Sequence, residues 1–234
     1  MHNPSGIGRR TLWYDEIDST SDVALSSAED GIVVVAARQL SGRGRLGRAW
    51  HSPKGLGLYF SVGLDGHADA VGLAAALAVR DALRYECVLE LKWPNDLLVR
   101  KRKICGILVE YRHERTALGI GLNVLHEAND FPPELRDTAT SLRMETGRDY
   151  ALPDLLDNIL TELDRRVVAL RGEGRSALIA EWAAACRIRG RRVRSATVEG
   201  TVTAVDGTGA LVVDTEKGPC VVTAADLAIL GDEA

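Results

Sequence analysis

The chain has 234 residues, of which 46% are hydrophobic and 26% charged, a balance typical of a protein that buries a core. The formal net charge of −4 argues against a general nucleic-acid binder, because such affinity comes from neutralising phosphates. No apolar run is long enough to span a bilayer, and the N-terminus lacks the apolar region of a signal peptide, so we expect a cytoplasmic protein without membrane contact.

The first part of the chain predicts strands separated by one loop and two helices. Ser19 and Asp22 have capping-box spacing, which predicts a short helix that ends near Gly31. The elements that follow are a buried strand at 32–37, a Gly/Arg-rich loop at 41–57, a strand at 58–64, a largely buried helix at 70–84 and a short strand at 88–91.

The remainder predicts a hairpin, two helices and a separate β-rich unit. The predicted elements are a hairpin of strands 97–99 and 104–111, a strand at 117–125, a long loop at 126–141, amphipathic helices at 152–171 and 175–186, and short strands between 193 and 229. We therefore predict two domains, residues 1–187 and a small β-barrel at 188–234. Loops as long as 126–141 are often either functional lids or disordered.

Four cysteines and five histidines are scattered along the sequence. The cysteines form no Cys-x-x-Cys pair, and the histidines show no metal-ligand spacing. We expect buried free thiols in a reducing compartment and no tightly bound structural metal.

Residues 42–50 read GRGRLGRAW and satisfy the dinucleotide pattern G-x-G-x-x-G. That pattern requires a helix directly after the loop, whereas a strand is predicted here, and the Gly-Lys-Ser/Thr of a Walker loop is absent. Residues 31–64 contain no acidic side chain but carry five cations, namely Arg38, Arg43, Arg45, Arg48 and Lys54. The loop is either a solvated basic surface or, as its interleaved glycines favour, a mobile segment that an anionic ligand orders.

Residues 92–96 read KWPND and follow an apolar strand. We expect Lys92 to be partly desolvated at this proline turn and to provide a fixed positive charge for a carboxylate or phosphate. Asn95 and Asp96 either hold the turn through their side chains or, for Asp96, orient an incoming amine or bind magnesium.

Two predicted strands, 103–110 and 119–124, contain glycines in their interiors. A glycine weakens a strand unless another group approaches closely, so Gly106, Gly119 and Gly121 indicate a flat ligand lying on the sheet. Asn123 at the end of the second strand either faces a phosphate or metal ion or forms a turn.

Taken together, the GRGRLGRAW loop, the KWPND turn and the two glycine-containing strands occur in an order and spacing that closely resemble the catalytic domain of biotin–protein ligases. The resemblance covers roughly residues 11–230. It implies an α+β fold in which helices pack on one side of a mixed β-sheet, as in class II synthetases and biotin ligases, followed by a small C-terminal SH3-like β-barrel.

The resemblance also implies the activity and the site. Biotin and ATP would form biotinyl-5′-AMP, and the biotin would pass to a lysine of a biotin carboxyl carrier domain of acetyl-CoA or another acyl-CoA carboxylase. The implied biotin-binding residues are Ser19, Thr20, Ser21, Gln39, Gly42, Arg43, Gly44, Arg45, Lys92, Gly106 and Gly121. The implied nucleotide-binding residues are Arg48, Trp50 and Asn123. Arg45 and Lys92 would be catalytic, Asp96 would orient the acceptor lysine, and Asn123 would lie near Mg²⁺ held by the phosphates.

Two features depart from the pattern of the family. Ser21 stands where asparagine is common, and only about ten residues precede the catalytic resemblance. Some members carry an N-terminal helix-turn-helix, which needs far more residues, so we do not expect specific DNA binding. A monomer or a weak homodimer is expected.

Two other functions compete with this prediction. A lipoyl or octanoyl ligase or transferase of related fold would need a long apolar tunnel, and the arginine loop and KWPND turn favour biotin instead. A nucleic-acid-binding role would rest on residues 187–194, which contain five arginines. No aromatic residue is interleaved there for base stacking, which favours a solvated linker or a docking surface for an acidic acceptor domain.

Overall fold

A computed structural model describes residues 6–223 and 227–230 of the chain. The strands are β1 (Thr11–Ile17), β2 (Val33–Gln39), β3 (Gly57–Asp65), β4 (Glu90–Lys92), β5 (Asp96–Val99), β6 (Arg102–Arg112), β7 (Arg115–Asn123), β8 (Arg192–Arg194), β9 (Glu199–Val205), β10 (Leu211–Thr215), β11 (Gly218–Val222) and β12 (Ala228–Leu230). The α-helices are α1 (Thr20–Ser26), α2 (Val71–Ala82), α3 (Leu142–Thr146), α4 (Leu152–Arg171) and α5 (Arg175–Cys186). Short 3-10 turns lie at Arg45–Gly47, Ala128–Asp130 and Pro133–Leu135.

The strands form two sheets. The first has seven strands in the order β1-β2-β3-β7-β6-β5-β4, with β1 parallel to β2 and the other neighbours antiparallel. The second has five strands in the order β11-β10-β9-β8-β12, all antiparallel. The predicted α+β fold is thus confirmed, and the second sheet agrees with the expected SH3-like unit.

The side chains of β3 divide between the two faces of the large sheet. Side chains alternate between the faces of a strand, and on β3 the even-numbered positions, such as Phe60 and Val62, belong to the main core. The odd-numbered positions Ser61 and Gly63 face α1 instead, where the Ser61 hydroxyl meets helix side chains and a Cβ at Gly63 would lie 2.8 Å from a helix carbonyl. We call this second side the small-residue face.

The helices lie on both sides of the sheet. Helices α2, α4 and α5 pack against each other and the core face, whereas α1 packs across β2, β3 and β7 on the opposite face. The expectation that all helices lie on one side is therefore wrong for α1. Small residues on β3 and β7 give this short helix room to approach the sheet.

Several predicted boundaries differ from the structure. Helix α1 ends at Ser26 rather than near Gly31, and the Ser19 side chain makes no capping hydrogen bond, so the predicted capping box is absent. The long loop includes two 3-10 turns, and the sequence patterns gave no indication of β1 or α3. Strand β1 was missed because most of its residues are exposed or half-buried at the edge of the sheet, which leaves no apolar run.

The C-terminal sheet shares its core with the large sheet. Buried residues of β8, β9 and β10, including Val193, Val202 and Leu211, belong to the same apolar cluster as α2 and α4. The indole Nε1 of Trp93 donates to the carbonyl of Gly209 at 3.1 Å, which links the KWPND turn to the second sheet. The division into domains at 187/188 stays a prediction.

Other predictions concern the surface and the cysteines. In residues 6–223 and 227–230 no helix has the length and apolar character needed to cross a membrane, and no three His, Cys, Asp or Glu side chains are grouped to hold a metal ion. All four cysteines are free, but only Cys105 is buried, so the prediction of buried thiols is wrong for Cys87, Cys186 and Cys220, which are half-buried.

The basic segment 187–194 is partly neutralised. Arg192 and Arg194 donate to the Glu199 carboxylate at 3.1 and 2.7 Å. This pairing across β8 and β9 supports the interpretation of a solvated linker or docking surface over that of a nucleic-acid site.

Candidate active site

A cavity of about 420 Å³ opens on the small-residue face of the large sheet. It brings together fourteen of the fifteen predicted site residues, namely Ser19, Thr20, Ser21, Gln39, Arg43, Gly44, Arg45, Arg48, Trp50, Lys92, Asp96, Gly106, Gly121 and Asn123. Gly42 lies beside the cavity rather than in its wall, packed where a Cβ would lie 2.7 Å from the Trp50 carbonyl.

One end of the cavity is lined by hydroxyl groups. The Gln39 Oε1 accepts from the backbone N and the hydroxyl of Thr20 at 2.9 and 3.1 Å. The Ser61 hydroxyl lies 2.7 Å from that of Thr20 and 3.1 Å from that of Ser21. Ser21, where the resemblance led us to expect asparagine, therefore takes part in this network. Ser61 was missed, although a serine inside the otherwise apolar run of β3 is a signal that could have identified it.

Residues 42–50, which we call the arginine flap, form a small hairpin over the cavity. The Gly44 N donates to the Arg48 carbonyl at 2.7 Å, and the Trp50 N donates to the Gly42 carbonyl at 2.8 Å. Arg43 and Ala49 pair across this hairpin. Backbone hydrogen bonds thus give the flap a defined shape, while its predicted mobility without ligand stays a prediction.

The flat group that lies on the strand glycines is the indole of Trp50. Gly106 and Gly121 pair across β6 and β7, and a Cβ on Gly106 would lie 2.8 Å from the indole Cζ3. A Cβ on Gly121 would overlap the indole. The group that approaches Gly106 and Gly121 closely is therefore the Trp50 side chain of the same protein. Contact of these two glycines with biotin stays a prediction.

The cations around the cavity differ in their partners. Arg43 donates to both Asp22 carboxylate oxygens, at 2.8 and 2.7 Å, and to Glu110 at 3.1 Å. Arg45 donates to the Asn95 Oδ1 at 3.3 Å. Lys92 is exposed at the cavity mouth, so its predicted desolvation is wrong. The reason is that β4 is an edge strand and its last residue faces solvent.

A second lysine, Lys103, also lines the cavity and is only partly exposed. Its Nζ is 2.6 Å from the Asp96 Oδ1 and 5.1 Å from the centre of the Trp50 ring. The Asp96 carboxylate thus forms an ion pair with Lys103. The basic residue at the start of the glycine-containing strand was the available signal for Lys103, and its function was missed.

The segment 126–141 forms another wall, as expected for a functional loop. Its side chains in the wall are Phe131, Leu135, Thr138 and Ala139. The segment is joined to β6, because the Lys103 N donates to the Thr138 carbonyl at 2.7 Å and the Thr140 N donates to the Lys103 carbonyl at 2.9 Å. The Asn123 Nδ2 donates to the Thr140 carbonyl at 3.0 Å, which fixes the amide of this predicted nucleotide-binding residue.

Two histidines hold the start of this segment. The His51 Nε2 lies 2.9 Å from the Asp130 carbonyl, next to the end of the flap. His126 is fully buried, stacks on Phe131 and lies 3.3 Å from the Tyr59 hydroxyl. Burial lowers the pKa of His126 to about 4, so the ring is neutral at physiological pH. Neither histidine was predicted.

The arrangement suits a carboxylic acid with an uncharged polar body, bound next to a phosphate ester. Hydroxyl and amide groups lie at one end of the cavity, and guanidinium and ammonium groups surround its mouth. The fold and the site therefore favour an α+β enzyme that binds anionic ligands.

Comparisons with known proteins agree with this class. The model of the biotin/lipoate A/B protein ligase family matches residues 13–126. The chain is 35% identical over 224 residues to the biotin–[acetyl-CoA-carboxylase] ligase of Mycobacterium tuberculosis, with 87% of this chain and 81% of the relative covered. It is 31% identical over 241 residues to the bifunctional ligase/repressor BirA of Bacillus subtilis, with 94% and 74% covered.

A solved structure has the same fold. The biotin protein ligase from Aquifex aeolicus in complex with biotin and ATP matches with a TM-score of 0.81 at 27% identity, covering 94% of this chain and 98% of that chain. The chain belongs to the biotin/lipoate A/B protein ligase family.

Proposed function

We propose that this chain is a biotin–protein ligase that makes biotinyl-5′-AMP from biotin and ATP and transfers the biotin to a lysine of an acceptor protein. The observation that carries the proposal is the single cavity that combines a hydroxyl-lined end with a cationic mouth under the arginine flap. The relatives named as biotin–[acetyl-CoA-carboxylase] ligases support the same reaction.

In the first step a biotin carboxylate oxygen attacks the α-phosphorus of ATP and pyrophosphate leaves. Two anions must meet, so their repulsion contributes to the barrier. Arg45 and Lys92 stabilise the charge on the α-phosphate, and Lys103 is another cation of the wall. When a substrate carboxylate pairs with Lys103, Asp96 is released from its ion pair.

We assign the two ends of the cavity to the two substrates. Biotin binds at Ser19, Thr20, Ser21 and Gln39 and under the flap residues Gly42, Arg43 and Gly44, whereas the nucleotide binds at Arg48, Trp50 and Asn123. Mg²⁺ enters as part of the Mg·ATP complex. Asn123 is the residue that would hold the ion beside the phosphates, through its carboxamide oxygen, and the ion would supply positive charge to the phosphates.

In the second step the acceptor amine attacks the acyl carbon and AMP leaves. Asp96, once released, lies on the cavity wall where it orients that amine. The acceptor that fits is a biotin carboxyl carrier domain of acetyl-CoA carboxylase or a related acyl-CoA carboxylase. We further propose a monomer or weak homodimer without specific DNA binding, working in the cytoplasm, where the four free thiols stay reduced.

The test is incubation with biotin and Mg·ATP, followed by measurement of pyrophosphate and native mass spectrometry. We expect stoichiometric pyrophosphate release and a mass increase equal to bound biotinyl-AMP. Parallel incubations replace biotin with lipoate or octanoate. Release of pyrophosphate with lipoate or octanoate but not with biotin would favour the lipoyl or octanoyl alternative. Absence of pyrophosphate release with all three acids would refute adenylate formation.

The role of Lys92 is tested separately. We expect Lys92→Ala to reduce the single-turnover rate of pyrophosphate release about 10²-fold or more, because a charged group acting on the α-phosphate is lost. The matched control is Lys217→Ala, an exposed lysine in the turn between β10 and β11. Equal rates in the two variants would contradict the role.

A further inference from the structure

The cation nearest the start of the arginine flap is already paired with two carboxylates. Arg43 makes a bidentate contact with Asp22 on α1 and a third hydrogen bond with Glu110 on β6. These partners are far apart in sequence and lie on different elements. The flap thus spans the cavity and is fastened on both sides through one guanidinium group.

Asp22 is available for this contact because it does not cap its helix. The N-terminus of α1 has no side-chain capping hydrogen bond, although Ser19 and Asp22 have the spacing for one. The pKa of Asp22 is lowered mainly by its hydrogen bond with Arg43, so the carboxylate is charged at physiological pH. On the other side, Arg112 donates to Glu110 at 3.0 Å and keeps that carboxylate oriented toward the flap.

We propose that Asp22 and Glu110 are positioning residues that hold the arginine flap closed through Arg43, and that they thereby set how long the adenylate stays bound. The part of the proposal that concerns the adenylate rests on the proposed function. With two carboxylate partners, the Arg43 side chain acts as a clasp on the protein rather than as a free charge for the substrate. Opening the flap breaks all three charged hydrogen bonds of Arg43 together.

The expected change in flap opening depends on how exposed the three paired side chains are to solvent. The Arg43 and Glu110 side chains are 31% and 14% exposed, and that of Asp22 is 48% exposed. Solvent weakens such pairs, while bidentate geometry strengthens them. We expect removal of either carboxylate charge to increase flap opening by about fivefold.

The first experiment measures opening without any ligand. Hydrogen exchange of the flap amides of Gly44 and Trp50, both hydrogen-bonded within the flap, is followed in the whole chain. We expect Asp22→Asn and Glu110→Gln each to accelerate exchange about fivefold. The matched control is Glu16→Gln, which removes an ion pair between β1 and β2, with Arg38, at 45% exposure and is expected to leave the flap exchange unchanged.

A double-mutant cycle separates the clasp from a general structural effect. In an Arg43→Gln background the guanidinium is gone, so adding Asp22→Asn is expected to change flap exchange no further. Undiminished acceleration by Asp22→Asn in that background would overturn the proposal, as would unchanged exchange in both single variants.

The second experiment measures retention with biotin and Mg·ATP as probes. We expect Asp22→Asn and Glu110→Gln to form the adenylate at near-normal rates but to lose it about fivefold faster, with more biotin on a bystander protein such as serum albumin. Faster flap exchange with unchanged adenylate loss would overturn the link to retention. If the unmodified protein forms no adenylate, the proposed function fails, whereas the exchange experiment still decides whether the clasp exists.

Discussion

The absence of a side chain at Gly121 decides where Trp50 lies. A Cβ at this position would overlap the indole, while β7 is paired with a strand on each side and the flap backbone is hydrogen-bonded at Trp50. We expect Gly121→Ala to displace Trp50 and to raise the KM for ATP roughly 10- to 100-fold, since overpacking costs about 1–3 kcal/mol. Pyrophosphate assays at varied ATP and tryptophan fluorescence would measure this. The control is Gly207→Ala, where an added Cβ has no neighbour within 4 Å. An unchanged KM would contradict the packing argument.

The buried ring of His126 makes folding sensitive to mild acid. Its folded pKa of about 4 lies below the value of about 6.5 in an unfolded chain. As the pH falls below 6.5 the unfolded state takes up a proton that the folded state refuses, so stability decreases until about pH 4. From pH 7.5 to 5 this group accounts for about 2 kcal/mol.

We therefore expect urea unfolding of His126→Gln to lose less stability between pH 7.5 and 5 than the unmodified chain does. His113→Asn is the control, because His113 is exposed at a turn with positive φ that asparagine tolerates. Parallel pH dependence in the unmodified chain and His126→Gln would show that His126 is not the group responsible.

Which residues meet in the cavity was largely predictable, but their pairing was not. The ordered motifs predicted the residues of the wall, whereas the Lys103–Asp96 contact depends on the register of β5 and β6. That register shifts between Leu97 and Leu98. No pattern in the sequence indicates such an irregularity, so the pairing of Asp96 with Lys103 was not among the roles predicted for Asp96. Lys92 was expected to be desolvated because it follows an apolar strand at a proline turn. Its exposure results from the edge position of β4, and strand order could not be predicted from the sequence.

At the level of elements, the segment 126–141 depends on a carboxylate outside it. The Glu145 side chain on α3 is only 2% exposed and accepts hydrogen bonds from Thr140 and Arg102, both at 2.6 Å. Thr140 in turn holds Asn123 and the backbone of Lys103. Glu145 therefore connects α3 to two residues of the cavity wall.

We expect Glu145→Gln to raise the KM for ATP about tenfold while kcat changes less, because the charge that orders this wall is lost but its shape is kept. Hydrogen exchange of 126–141 is expected to accelerate in the same variant. Glu134→Gln, at an exposed position of the same segment, is the control. A decrease in kcat at constant KM would argue against a role in positioning the nucleotide site.

Periodicity predicted the elements that bury one face and missed those that do not. Helix α4 was predicted at its observed bounds because its apolar residues recur at helical spacing. Strand β1, whose residues are exposed or half-buried, and the five-residue helix α3 carry no such repeat. Glycine in a strand indicated close approach correctly, but only the fold reveals that the approaching group is Trp50.

Over the whole molecule, the change in sequence texture near residue 188 predicted a second unit but not its attachment. Gly209 has a φ of +91° and packs against Leu73 of α2, where a Cβ would lie 2.9 Å from the leucine Cδ1. Its carbonyl receives the Trp93 indole N–H. The KWPND turn thus has a structural task besides its place in the cavity, because it anchors the second sheet beside the site.

Because one apolar cluster runs through both sheets, we expect the two units to unfold together. Urea transitions followed by tryptophan fluorescence and by far-UV circular dichroism should coincide. Trp93→Phe removes the hydrogen bond to Gly209 and is expected to lower the free energy of unfolding by about 1 kcal/mol without separating the transitions. The control is Trp13→Phe, at a 55% exposed position on β1. Two separate transitions in the unmodified chain would contradict this expectation. They would mean that residues 188–234 fold independently of the large sheet despite the shared apolar cluster.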